Sequence, residues 1–171
     1  MAPHLQTHSR ILAIDPCTRG FGFAVLEGGN HLIDWGVARL YSKVDEEFLV
    51  RVDAIINRYK PTIIAFEDVS GTHRGERAAK RINDLVGYAA LLDIERALVS
   101  RGEVRTALGL PYEATKYEVA KRIVTLFQEL EATLPPPRKP WQTEDERMNV
   151  FDAVGLALGA TFLHLPRSPS Q

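Results

Sequence analysis

Residues 10–40 read as three strands in succession, an opening that commits the chain to a sheet which later elements must cover. The run 10–15 is almost continuously apolar through Ile11-Leu12-Ala13-Ile14 and closes on Asp15, the pattern of a strand buried on both faces. The turn signal Asp15-Pro16-Cys17-Thr18-Arg19-Gly20 leads into a second strand over 21–26. Glu27-Gly28-Gly29-Asn30 then makes a hairpin connection to a third strand over 32–40.

From about residue 43 the period changes. Phe48, Val52, Ile55, Ile56 and Tyr59 share one helical face, and Pro61 stops the helix. Residues 62–66, Thr-Ile-Ile-Ala-Phe, read as a short buried strand ending in Glu67-Asp68. Apolar positions from Ile82 to Leu98 predict one long helix over 77–100, with a stripe broader than a single core-facing surface needs, stopped by Gly102. A last strand is expected over 104–108 and an amphipathic helix over 119–130. The proline-rich stretch 134–140 is a loop, and Thr143 with Glu146 makes a capping box for a final helix running to about Leu163. The order is three antiparallel strands, helix, strand, helix, strand, helix, helix. It fits an α/β architecture, a five-stranded mixed sheet flanked by helices, and narrows the fold to the ribonuclease H-like group. One domain over 1–165 with a tail over 166–171 is expected from a chain of 171 residues.

Three acidic residues fall at element ends where they could share a site. Asp15 closes the first strand, Glu67 the fourth, and Asp152 lies in the final helix. A carboxylate that ends an apolar strand must reach solvent or meet a cation, because an unpaired buried charge is costly. Taken singly, Asp15 also reads as a turn-initiating aspartate before proline. Taken together, the three favour a hard divalent cation, which takes oxygen ligands.

At these residues the chain resembles a known family, the RuvC-type Holliday junction resolvases. Five blocks carry the resemblance in order: ILAIDPCTRGFGFAVLE, KPTIIAFEDV, AAKRINDLVGYAAL, ATKYEVAKRIVTLF and MNVFDAVGLALGA. The resemblance implies a metal-dependent endonuclease that nicks two strands of a four-way DNA junction symmetrically. Asp15, Glu67 and Asp152 match the family's acidic metal ligands, and Lys116 matches a lysine near the scissile phosphate. Two Mg²⁺ ions, with Mn²⁺ as a substitute, about 3.5–4 Å apart would activate a water and stabilise the departing oxygen. Asp15 would bridge them. The family places Asp or His three residues before the last aspartate, where this chain has Asn149, a neutral ligand expected to hold the second ion less firmly. Asp145 could substitute, since Asp145, Asn149 and Asp152 follow i, i+4, i+7. Its other reading is an acid favoured by the first turn of the helix. Cys17 stands where the family has glycine, either as a turn residue or as a reactive thiol beside the metal. No aromatic follows Glu67 to wedge into a junction.

The formal charge of −1 and pI of about 6.5 argue at first against a nucleic-acid partner. Resolved along the chain, however, the charge is partitioned. Arg74, Arg77, Lys80 and Arg81 face only Glu76 within 70–81, and Lys116, Lys121 and Arg122 face only Glu118 within 115–122. Such runs are commonly solvated helix faces, but here they flank the acidic strand ends, where they would contact phosphates. The expected partners are branched DNA, a second copy of the chain meeting it through the broad stripe of 77–100, and a branch-migration complex. No membrane partner is expected. A single cysteine and the lack of any long apolar run fit a soluble cytoplasmic protein. Competing readings are an actin-like or sugar-kinase ATPase, which needs two such domains, an RNA-processing nuclease of the same fold, and a non-catalytic binder of branched DNA.

Overall fold

The computed structural model describes residues 9–41, 46–70 and 75–164. Five strands form one sheet in the order β3-β2-β1-β4-β5: β1 (Arg10–Cys17), β2 (Gly20–Glu27), β3 (His31–Arg39), β4 (Ile63–Glu67) and β5 (Glu95–Val99). β1, β2 and β3 make the antiparallel meander, with Gly28 and Gly29 at φ of 60° and 81° supplying the left-handed turn. β4 joins β1 in parallel and β5 joins β4 in parallel, so the sheet is mixed.

Helices cover both faces. α1 (Glu46–Tyr59) and α2 (Glu76–Leu91) pack on one, burying Phe48, Val52, Ile82 and Leu85 against Leu12, Ile14, Ile64 and Phe66. α3 (Arg101–Ala107), α4 (Lys116–Leu126), a 3₁₀ turn (Gln128–Thr133) and α5 (Met148–His164) occupy the other. Within α5, ten residues are buried, Val150, Phe151, Val154 and Leu156 among them. This helix is apolar on nearly every side because it lies between the sheet and the α3–α4 pair.

The stretch 77–108 departs from the sequence expectation. The helix ends at Leu91, and Asp93 takes a φ of 55°, a left-handed position at which the chain reverses into β5. Ala97 and Val99 are buried while Arg96 and Leu98 are exposed, the period of a strand. The apparent breadth of the stripe came from adding two elements together. Residues 104–108 are not a strand but lie on α3 and at its C-cap, and Gly102 sits inside that helix. Ser100 caps α3 in a capping box with Glu103. Thr143 and Glu146 form no such box at α5, which begins at Met148; Glu146 instead accepts from Arg39 at 2.7 Å.

Candidate metal and nucleic-acid site

Side-chain parity along the strands builds the site. Ile11 and Ala13 of β1, and Ile63 and Ala65 of β4, face α5. Asp15 and Glu67 are the next positions of that parity on each strand. Ala13 pairs with Ala65 in the parallel register, so the two carboxylates stand two residues beyond a matched pair, side by side at the carboxyl ends of neighbouring parallel strands. Open α/β sheets characteristically bind ligands at that edge. Asp15 is 2% exposed and Glu67 5%.

Gly22 brings α5 over this edge. It pairs with Asp15 across the β1–β2 ladder, and a Cβ there would lie 2.1 Å from the Asn149 carbonyl oxygen. Only glycine lets the first turn of α5 descend onto the sheet at that point. Asp152, one turn further along, then enters the same cavity as Asp15 and Glu67, together with Arg101, Arg105 and Lys116. An adjoining recess shares Asp15, Lys116 and Asp152 and adds Cys17, Arg77, Glu144 and Asn149.

Cationic side chains meet Glu67 and Asp152. Arg101 Nε donates to Glu67 Oε1 at 2.9 Å, and Lys116 Nζ donates to Asp152 Oδ2 at 2.9 Å and to Glu144 Oε1 at 2.7 Å. Burial alone would lower the Lys116 ammonium, but the Asp152 and Glu144 carboxylates outweigh it and hold it above the usual lysine range. Among the described residues, no three His, Cys, Asp or Glu side chains are grouped so as to hold a metal ion as they stand. The donor chemistry nevertheless fits a hard cation, with Asp15, Glu67 and Asp152 lining one recess and Asn149 the second, which shares Asp15 and Asp152 with it. In this arrangement Arg101 and Lys116 provide the positive charge that such an ion would bring.

The remaining expected residues divide by placement. Arg77 is exposed and borders the recess. Lys80 is exposed and bonded to Asp84 at 2.9 Å, one helical turn away. Lys121 lies over the Tyr117 ring, and Arg122 donates to the Leu108 carbonyl at 3.1 Å, tying α4 to the end of α3. Arg74 lies outside the described residues, as does the 166–171 tail. Arg81 is turned inward instead of joining a phosphate track. It is 3% exposed, bonded to the Cys17 carbonyl at 2.7 Å and set over the Phe48 ring. It anchors the turn that follows Asp15. Asp145 is likewise not in α5. It closes a local turn on Arg147, whose guanidinium holds its carboxyl below the usual range, and it lines neither recess. Burial pushes the Cys17 thiol up, with Asp15 adding to the effect against backbone hydrogen bonds that lower it. Arg101 and Arg105 were not singled out from the sequence. The signal that could have found them is the Ser100–Glu103 capping spacing, which starts a helix just beyond the Glu67 strand edge.

The class defined by this sheet and its helical cover is the ribonuclease H-like fold. Within it, the chain has the fold of RuvC-type resolvases. It is similar to T. thermophilus RuvC in complex with Holliday junction substrate, at 19% identity and a TM-score of 0.62, over 89% of this chain and 92% of that one. A second Thermus thermophilus RuvC structure gives 18% identity and a TM-score of 0.62, over 88% and 92%. No family model matches the sequence, and no curated protein matches it.

Proposed function

We propose that the chain is a metal-dependent endonuclease that resolves four-way or related branched DNA by symmetric phosphodiester hydrolysis. The observation that carries this reading is the convergence of Asp15, Glu67, Asp152 and Lys116 on one cavity at the carboxyl ends of β1 and β4. The likeness in fold to a RuvC bound to a Holliday junction supports the choice of substrate. Bound Mg²⁺ or Mn²⁺, two ions in the full site, would supply Lewis-acid activation of water and of the phosphodiester. Asp15, Glu67 and Asp152 would hold the cation, with Asn149 as a neutral fourth ligand. Asp15 and Glu67 are fixed by the sheet and lose little freedom in doing so. Lys116, kept charged by its acidic neighbours, would meet charge developing on the phosphate. Arg77, Lys121 and Arg122 would contact the flanking backbone.

Symmetric nicking needs two active sites, so the working unit is a homodimer. Leu91, Leu92 and Leu98 remain exposed at the end of α2 and on β5 and would contribute apolar surface to it. Among the described residues no helix is long and apolar enough to cross a membrane. A cytoplasmic site of action and a branch-migration partner belong to the same proposal.

The test is a panel of labelled four-way junction, linear duplex and RNA hairpin incubated with Mg²⁺ or Mn²⁺. Paired, symmetric nicks in the junction alone are expected. Cleavage of the hairpin would select an RNA-processing nuclease, binding without cutting under both metals a non-catalytic module, and ATP hydrolysis a different enzyme altogether.

A further inference from the structure

Arg101 has no part in the chemistry described so far, yet it is bonded to one of the central carboxylates. The Glu67 side chain is 6% exposed and that of Arg101 59%, so a buried anion is neutralised by a cation reaching in from the solvent side. The position of Arg101 is fixed by the chain. Glu67 pairs with Val99 in the parallel register, Ser100 caps α3, and the capping box with Glu103 locks the backbone on which Arg101 is the first helical residue. Its guanidinium lines the cavity that holds Asp15 and Asp152.

The two partners have unequal stakes. The guanidinium is already mostly in water here, so it can leave at little cost. A buried carboxylate without a counter-charge is costly. Losing the ion pair would therefore cost the buried Glu67 more than the exposed Arg101.

We propose that Arg101 is a displaceable counter-ion for Glu67, a positioning residue that holds this carboxylate aimed into the cavity until a divalent cation takes it over. Arg101 thereby weakens the protein's affinity for that cation and protects the empty site from the cost of its own acid cluster. The inference rests on the metal-site reading above and adds to it the group that a metal ion must displace.

The test needs neither DNA nor turnover. Mn²⁺ is titrated into wild type, Arg101→Met, Arg101→Lys and Asp15→Asn, with free Mn²⁺ read by electron paramagnetic resonance. Thermal unfolding is recorded for each in EDTA and in Mn²⁺. Removing one positive charge beside a divalent ion should tighten binding about tenfold, an order-of-magnitude expectation for close charges in a partly wet site. Arg101→Met should bind more tightly than wild type, unfold at a lower temperature in EDTA, and gain more from Mn²⁺. Arg101→Lys, which keeps the charge, should stay near wild type in all three respects. Equal or weaker Mn²⁺ binding by Arg101→Met, with wild-type binding still abolished by Asp15→Asn, would overturn the role of Arg101 and leave the metal site standing. No Mn²⁺ bound by either wild type or Arg101→Met would overturn both.

Discussion

Two arginines four residues apart on α2 do opposite things. Arg81 is buried and bonded to the Cys17 carbonyl, whereas Arg77 is exposed at the rim of the recess beside Asp15. Arg81→Met should cost about 2–3 kcal/mol, the usual worth of a buried hydrogen bond from a charged group, seen as a shift in the urea midpoint. Arg77→Ala should leave the midpoint unchanged, weaken junction binding and lower the salt slope by about 1. A charge run in the sequence does not distinguish these roles, since which arginine turns inward depends on helix phase against the sheet. Asn149 gives a further residue-scale expectation. If its amide is a ligand, Asn149→Asp should raise Mg²⁺ affinity or the cleavage rate, and no change in either would remove it from the ligand set.

The elements matter because they bring distant residues to one edge. α5 reaches Asp15 only because Gly22 has no side chain where Asn149 packs. Gly22→Ala should displace the start of α5 and cost about 1–3 kcal/mol. Cleavage should fall further than the stability loss alone explains, as measured at a temperature where the variant remains folded. The meander, α1 and β4 were legible because period and turn residues agree there: Gly28-Gly29 takes the left-handed turn, and Pro61 follows the end of α1. The stretch 92–108 was not. Its breaker is Asp93 in a left-handed conformation instead of glycine, and the two buried residues of β5 are too few to reveal a period of two. Two capping-box spacings were formed at Ser100 and Thr115, while the one at Thr143 lost its glutamate to Arg39. A spacing shows what a helix start could use, and tertiary partners decide whether it does.

At the scale of the whole molecule, a net charge of −1 hides a segregated distribution. Acids gather at the centre of the candidate site, and cationic side chains line it and its rim. Binding should therefore be salt-sensitive and selective for branched shape. The sequence pointed to Asp15, Glu67 and Asp152 as acids that could share a site, and the family resemblance added Lys116. It could not show that Arg101 holds Glu67 and Lys116 holds Asp152, because those contacts arise only when α3 meets the end of β4 and α4 packs against α5. The exposed leucines left by α2 and β5 belong to this scale too, and sedimentation at micromolar concentration should show a dimer. The most direct measurement is the rate of four-way junction cleavage by wild type and Asp15→Asn in Mn²⁺, with junction affinity measured in parallel in Ca²⁺. If the buried carboxylate on β1 anchors the catalytic cation, cleavage should fall by about a thousandfold or more, equivalent to roughly 4 kcal/mol of barrier, while affinity stays within a few-fold. Undiminished cutting by Asp15→Asn would contradict the assignment of this cavity as the active site.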